Sequence, residues 1–314
     1  MKAKAQRSML ILPSNVPRFI EKAYFRGADA IVLDLEDSVP PAEKVNARRG
    51  LKEAIELAGR GGSDVLVRVN NDAALIAEDL AAAVHPGLHA IFLPKVESPQ
   101  DVTELEDRLT DLESGRGLAK ASIKLSLHIE SPRGLLNLQQ IVAAGTRIES
   151  VSLGVDDYCL ALGVEPSPDG MELFYPFAAM ITVCKAAGVA PMGVMGTVAG
   201  FRDLESFKRM AENACELGCV GAFCIHPDQV GILNKVFSPS PEKVALSQRI
   251  VTAFEEGLKA GRASINLDGR MVDTPIYKQA QLVLERAQVI ADLDRRKAEA
   301  LNQAGGKISG ETSS

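Results

Sequence analysis

The sequence predicts an α/β protein built as a (β/α)8 TIM barrel with a C-terminal helical extension, on three observations. Eight short apolar runs recur: Met9–Leu12, Ala30–Leu35, Val65–Val69, Ala90–Leu93, Lys124–Ile129, Ser150–Leu153, Pro191–Val194 and Ala222–Ile225. They are continuous rather than alternating, as expected of parallel strands covered on both faces. Segments with helical spacing separate them, and eight such alternations suit a closed barrel better than an open sheet. No GxGxxG follows any run, so the dinucleotide-binding sheet has no support.

Taken in order, the first run leads into "NVPRFIEKAYFRGA", a helical stretch, and the second opens directly into "EDS". After it, "PAEKVNARRGLKEAIELA" reads as helix, and the third run carries Arg68 near its end. The fourth exits into Pro94-Lys95, the fifth into Glu130, the sixth into "GVDDY", the eighth into His226. Between the seventh and eighth, "RDLESFKRMAENACELG" is helical and closes on Gly218 as a C-cap. The repeat stops near Lys235. Two further helical stretches, about Pro241–Ala260 and Ile276–Asn302, flank "GRASINLDGRMVDTP", whose turn chemistry rules out a ninth barrel unit. The expected domains are therefore a catalytic barrel over 1–237, a helical lid and oligomer contact over 238–302, and a small, polar, disordered tail over 303–314.

Composition narrows the function. The chain has 314 residues, 46% hydrophobic and 24% charged, ordinary for a globular protein. A net charge of −6, no long Lys/Arg block, 4% aromatics and no Trp argue against a nucleic-acid partner. The five cysteines form no CxxC. Cys215 and Cys219 lie four apart in a helical stretch without the other ligands zinc needs, so all five read as small core residues in a reducing compartment. The N-terminal apolar run is too short for a signal segment, and no run of about 18 apolar residues follows. A cytoplasmic protein without a membrane partner is the expectation.

In a barrel enzyme the site lies at the C-terminal ends of the strands. Six of the eight run exits bear an ionisable group. One carboxylate there is usually a helix cap or a surface ion pair. Several converging on one mouth repel, and a cation offsets that repulsion. With no His or Cys cluster beside them, a hard ion, Mg2+, fits best. Arg68 offers a fixed positive fork for a substrate carboxylate or an enolate oxygen, or else a structural partner for Asp34 or Glu36. His226 reads as a hydrogen-bonded structural residue, and His128 shares the inward phase of Glu130 without an assigned role.

The stretch "RSMLILPSNVPRFIEKAYFRGADAIVLDLEDSVPPAEKVNAR" resembles the opening of the citrate lyase β-subunit-like proteins of the HpcH/HpaI aldolase superfamily, which includes malyl-CoA and citramalyl-CoA lyases. The resemblance continues through "VRVN", "IFLPKVES", "LHIESPRGLLN", "LGVDDYCLALG", "FCIHPDQVGILNKVF" and "DGRMVDTPIYKQAQ", covering about residues 7–285. It implies Mg2+ held by Glu130 and Asp157, with Asp156 a bystander. It implies that Arg68 contacts the thioester or enolate oxygen, and that Asp273 is an acid/base on a lid reaching a neighbouring subunit of a homotrimer or homohexamer. Arg7 and Lys22 align near the CoA phosphates. Asp37 and Glu36 are expected at the mouth, Asp37 in the catalytic set and Glu36 toward the substrate, with Asp34 structural.

The implied activity is a Mg2+-dependent CoA-ester lyase that splits, or forms by Claisen-type condensation, a 3-hydroxyacyl-CoA from acetyl-CoA and a 2-oxo acid. The alternatives are a citryl-acyl-carrier lyase subunit, a CoA-independent pyruvate-releasing aldolase, a thioesterase and a non-catalytic acyl-CoA-binding subunit. Two departures stand out. Ser14 replaces the Gly of the family's usual "VPG", and Met195-Gly196-Thr197 replaces an Asp-containing stretch.

Overall fold

The computed structural model describes residues 5–311, with side chains described as far as Gly305. Eight parallel strands form one sheet: β1 Ser8–Pro13, β2 Ala30–Asp34, β3 Asp64–Arg68, β4 Ala90–Leu93, β5 Lys124–Ile129, β6 Ile148–Leu153, β7 Ala190–Met192 and β8 Ala222–Cys224. Their spatial order is β7-β6-β5-β4-β3-β2-β1-β8. Beside the free edges, Val220 N donates to Pro191 O and Gly193 N to Gly221 O, each at 2.9 Å, which brings the sheet round to closure. The eight runs expected from sequence are these eight strands, in a (β/α)8 TIM barrel.

Strand residues two apart share a face, and inward residues from β1 to β4, β7 and β8 meet inside the barrel. Met9, Val32, Leu66, Phe92, Met192 and Phe223 belong to one buried cluster, with Phe92 stacked on Phe223 at 4.6 Å between ring centroids. The surrounding helices start where their caps dictate. Ser98 and Asp101 form a capping box ahead of Pro99–Gly115, Ser131 caps Pro132–Ala144, and Asp203 caps Leu204–Leu217, which ends on Gly218 as the sequence predicts. Because that helix ends at Leu217, Cys215 and Cys219 do not share it.

The chain divides into two compact units. One holds Gln6–Val236 together with the helical residues from Lys297, the other Phe237–Arg296 with Ala5. The second unit contains the helix Pro241–Lys259 and most of the helix Thr274–Glu311. Its linker is not featureless: β9 Ile265–Leu267 and β10 Arg270–Val272 pair as an antiparallel hairpin. Asp268 and Gly269 turn it at φ 51° and 81°, the left-handed pair a two-residue hairpin loop requires. The expected disorder over 303–314 gives way to helix as far as Glu311, and 312–314 lie outside the described residues. Among the described residues no helix is long and apolar enough to cross a membrane.

Candidate active site

Strand register builds the first half of the site. β2 and β3 pair Asp34 with Arg68. The guanidinium donates to the fully buried Asp34 through Nε at 2.6 Å and Nη2 at 2.7 Å. Asp34 also accepts from Glu36 N at 2.9 Å, from Ser38 N at 3.0 Å and from the Ser38 hydroxyl. Burial opposes its charge, but the bonds and charge of Arg68 outweigh that and hold the carboxyl below its ordinary value, while Arg68 itself is raised. Asp34 is thus structural, as expected.

Glu36 is buried, ion-paired to the Lys95 ammonium, with Oε2 3.1 Å from Arg68 Nη1 but not hydrogen-bonded to it. Burial leaves its carboxyl raised despite these cations. Where sequence placed Glu36 against substrate, both of its oxygens face protein cations instead. Asp37 is exposed, 3.5 Å from Lys95 Nζ and 3.9 Å from Arg68 Nη1. Lys95 sits at φ 53°, a left-handed backbone rare for lysine, and Asn71 Nδ2 holds the turn by donating to Pro94 O and Lys95 O at 3.1 Å each.

The second half comes from β5 and β6. Their register pairs His128 with Ser152, and the two side chains hydrogen-bond through His128 Nδ1. Burial, reinforced by Arg68 and Lys95, pushes the imidazole down to about 3, so His128 is neutral near pH 7. Its Nε2 lies 3.5 Å from Glu130 Oε1, a polar contact rather than an ion pair. Glu130 follows β5 directly, and Gly154 follows β6, donating its N–H to Ile129 O at 2.8 Å. A Cβ on Gly154 would stand 2.6 Å from His128 Nε2 and 2.7 Å from Glu130 Cγ, so only glycine lets the loop approach this closely. The helix Val155–Leu162 then begins, with the exposed Asp156 and Asp157 in its first turn. Asp156 accepts from Thr197 Oγ1 at 3.0 Å.

Glu130 is 6% exposed, and its Oε2 is buried with no hydrogen-bond donor. Burial first, then the charges of Glu36 and Asp157, push its carboxyl up to about 8. A buried oxygen without a donor, facing like charges, is costly unless a cation completes it. The donors are oxygens alone, which suits a hard divalent ion completed by water and substrate oxygens. Glu130 and Asp157 are the residues that could hold it.

A cavity of about 400 Å³ opens at the strand ends, and Asp37, Arg68, Glu130 and Asp157 all line it. These predicted residues are brought together; others are not. Asp273 lies in the second unit, where its Oδ1 accepts Ile276 N at 3.3 Å at the head of the last helix. Lys22 is exposed ahead of the short turn Ala23–Phe25. Arg7 must be corrected. It precedes β1, at the end of the barrel opposite the mouth, and is 4% exposed. Its Nε and Nη2 bind Asp29 at 2.8 and 2.9 Å, and Lys297 Nζ reaches the same carboxylate at 2.9 Å. A cation so committed ties the barrel bottom together and has no CoA phosphate to meet. His226 stacks on Phe201 and accepts from Asp228 N at 3.3 Å, in keeping with a structural role. Sequence reasoning gave no role to Lys95 or His128. The signals were there: Lys95 at a strand exit, and His128 two residues before Glu130.

A family model described as HpcH/HpaI aldolase/citrate lyase matches residues 7–227. The citrate lyase subunit beta of Leuconostoc mesenteroides subsp. cremoris is 34% identical over 285 residues, spanning 90% of this chain and 94% of that protein. The L-malyl-CoA/beta-methylmalyl-CoA lyase of Cereibacter sphaeroides is 31% identical over 310 residues, spanning 92% and 96%. Protein CitE from Mycobacterium tuberculosis, crystallised with magnesium, acetoacetate and coenzyme A, superposes with a TM-score of 0.71 at 26% identity, over 92% of this chain and all of that one. The chain belongs to the HpcH/HpaI aldolase/citrate lyase family, and it is a carbon–carbon lyase.

Proposed function

We propose that this protein is a Mg2+-dependent CoA-ester lyase that splits a 3-hydroxyacyl-CoA of the malyl-CoA or citramalyl-CoA type into acetyl-CoA and a 2-oxo acid, or joins them. The observation that carries this reading is Glu130: buried, pushed up to about 8, with Oε2 lacking a donor beside Asp157 and on the same cavity wall as Arg68. The complex of the related protein CitE with magnesium, acetoacetate and coenzyme A supports it.

Glu130 and Asp157 would hold the ion, which when bound supplies Lewis acidity toward the substrate's hydroxyl and carboxylate oxygens. Carbon–carbon cleavage leaves negative charge on the thioester oxygen. Arg68 faces the cavity, stays charged, and is fixed in orientation by its two bonds to Asp34, so it costs no reorganisation when that charge develops. On the other side Glu36, itself paired with Lys95, sets Oε2 3.1 Å from Arg68 Nη1 and adds its negative charge there. Asp37, exposed at the mouth, would orient the substrate. Asp273 is assigned the proton on the methyl carbon, and the second unit the part of a lid and oligomer contact. The support for both is the resemblance of "DGRMVDTP".

The test is direct. Purified protein with Mg2+ is given malyl-CoA, citramalyl-CoA and free 4-hydroxy-2-oxo acids while free thiol and oxo acid are followed. Oxo acid without free thiol is the expected result. Free thiol with intact malate would mean a thioesterase, and full activity in excess EDTA would refute the metal assignment.

A further inference from the structure

Hydrogen-bond donors at the cavity wall are the Arg68 guanidinium and the backbone N–H groups that open the helix Val155–Leu162, which its first turn leaves without intrahelical partners. The acceptors are the carboxyl groups and two others. One is the Ser38 hydroxyl, whose proton goes to Asp34 on the Arg68 side. The other is the His128 imidazole, beside Glu130. Its hydrogen bonds decide which ring nitrogen carries the hydrogen. Ser152 Oγ donates to Leu127 O at 3.3 Å, a carbonyl that can only accept. With that one proton spent, Ser152 takes the hydrogen of His128 Nδ1. The opposite tautomer would put a hydrogen on Nε2, and Glu130 Oε1, at 3.5 Å, is too far to accept it. The Nδ1–H form therefore leaves no hydrogen unpaired, and it gives the cavity a bare lone pair on Nε2. Phe92 and Phe223 flank the ring edge-on, with centroids 5.1 and 5.9 Å away, and hold it in this orientation.

A lone pair in that place needs a hydrogen brought by whatever binds there. The hydroxyacyl substrate carries one, on the hydroxyl that cleavage turns into an oxo group, and the oxo acid released carries none. We infer that His128 Nε2 accepts the hydrogen of the substrate's 3-hydroxyl, so that this one nitrogen tells the hydroxy acid from the oxo acid. The contact aims the hydroxyl hydrogen at the imidazole and leaves the oxygen's lone pairs to the cation that Glu130 and Asp157 would hold. An oxo group in the same place sets lone pair against lone pair, so the product is held less tightly than the substrate. His128 takes no proton in this role. The inference rests on the lyase reading of the same cavity and deepens it.

Lactate and pyruvate differ at this one group, and neither has a thioester to cleave. The whole chain, with Mg2+ and CoA, is titrated calorimetrically with each acid, unaltered and as His128→Phe and Ser152→Ala. His128→Phe keeps a ring against Phe92 and Phe223 but no acceptor; it should lose about tenfold in lactate affinity while pyruvate affinity holds or rises. Nitrogen NMR of the imidazole should find the hydrogen on Nδ1 in the unaltered protein. In Ser152→Ala, which lacks the group that fixes the tautomer, it should leave Nδ1, and the lactate-to-pyruvate affinity ratio should fall with it. These losses in a protein that cleaves no CoA ester would strike the lyase reading and uphold this one. Equal losses for the two acids would show a merely structural ring and overturn it. So would an unchanged ratio, a hydrogen on Nε2 in the unaltered protein, or failure of lactate to bind that protein, even where the CoA ester is cleaved.

Discussion

Replacing Glu130 by Gln should make the metal-free protein more stable while abolishing its response to Mg2+. The carboxyl has an ordinary value of 4.5 and is pushed up to about 8 in the fold, chiefly by burial and then by Glu36 and Asp157. A raised folded value means that the folded state holds the proton more tightly than the unfolded chain. The stability this contributes is complete below 4.5 and is lost as pH rises toward 8. At about 1.4 kcal/mol per pH unit, the metal-free fold has lost about 3 kcal/mol by pH 7. Gln has nearly the same shape and no charge, so it escapes that loss. In EDTA at pH 7 to 8 the variant should melt roughly 5–10 °C above the unaltered protein, and at pH 5 the two should differ by about 1 kcal/mol or less. Added Mg2+ should raise the melting temperature of the unaltered protein only, since a ligand stabilises the state that binds it. Thermal denaturation at two pH values, with EDTA or Mg2+, reads all of this. A Glu130→Gln protein less stable in EDTA at pH 8, or one that responds to Mg2+ as before, would refute the reasoning.

Three further outcomes are expected. Asp34→Asn takes from the buried Arg68 guanidinium the carboxylate that holds it by two bonds, leaving only Glu36 and Asp37 beside its Nη1; it should cost about 3 kcal/mol in urea denaturation and most of the activity. Gly154→Ala should weaken Mg2+ affinity about 10–100-fold by displacing His128 and Glu130, with the far-ultraviolet spectrum unchanged. Asp29→Asn leaves Arg7 and Lys297 without their shared carboxylate and should lower stability, yet the KM for the CoA ester should hold, whereas a CoA-binding Arg7 would raise it.

The barrel was legible because its strands are buried on both faces. A continuous apolar run with no alternation has few other uses at this length, and all eight were found to within a residue or two. That Arg68, Glu130 and Asp157 would line one mouth was legible for a related reason: barrel closure brings strand ends together whatever the chain separation, while the choice of Glu130 and Asp157 among the acids came from the family resemblance. Arg7 was placed near the CoA phosphates on the resemblance alone, whereas position 7 precedes its strand and so falls at the end of the barrel away from the mouth. The hairpin at Asp268-Gly269 was passed over because its strands are only three residues each, although Asp-Gly is a strong turn signal. The left-handed backbone of Lys95 and the seating of His128 on Ser152 depend on cross-strand register, which no local pattern carries.

The acids at the mouth sort by the cations they already have. "LDLEDS" is the densest acidic stretch, yet Asp34 is neutralised by a bidentate Arg68, and Glu36 by Lys95 with Arg68 beside it. Those two cations serve this stretch first, and Asp37 stands within 3.9 Å of both. Glu130 receives only their more distant charge, too little to offset its burial and the push of Glu36 and Asp157. Negative charge without a close counter-charge therefore accumulates on the β5 and β6 side, where the acids are sparser in sequence and Glu130 Oε2 has no donor. Local density of carboxylates marks where the protein has supplied its own cations. The place for an external one is where the carboxylates outnumber them.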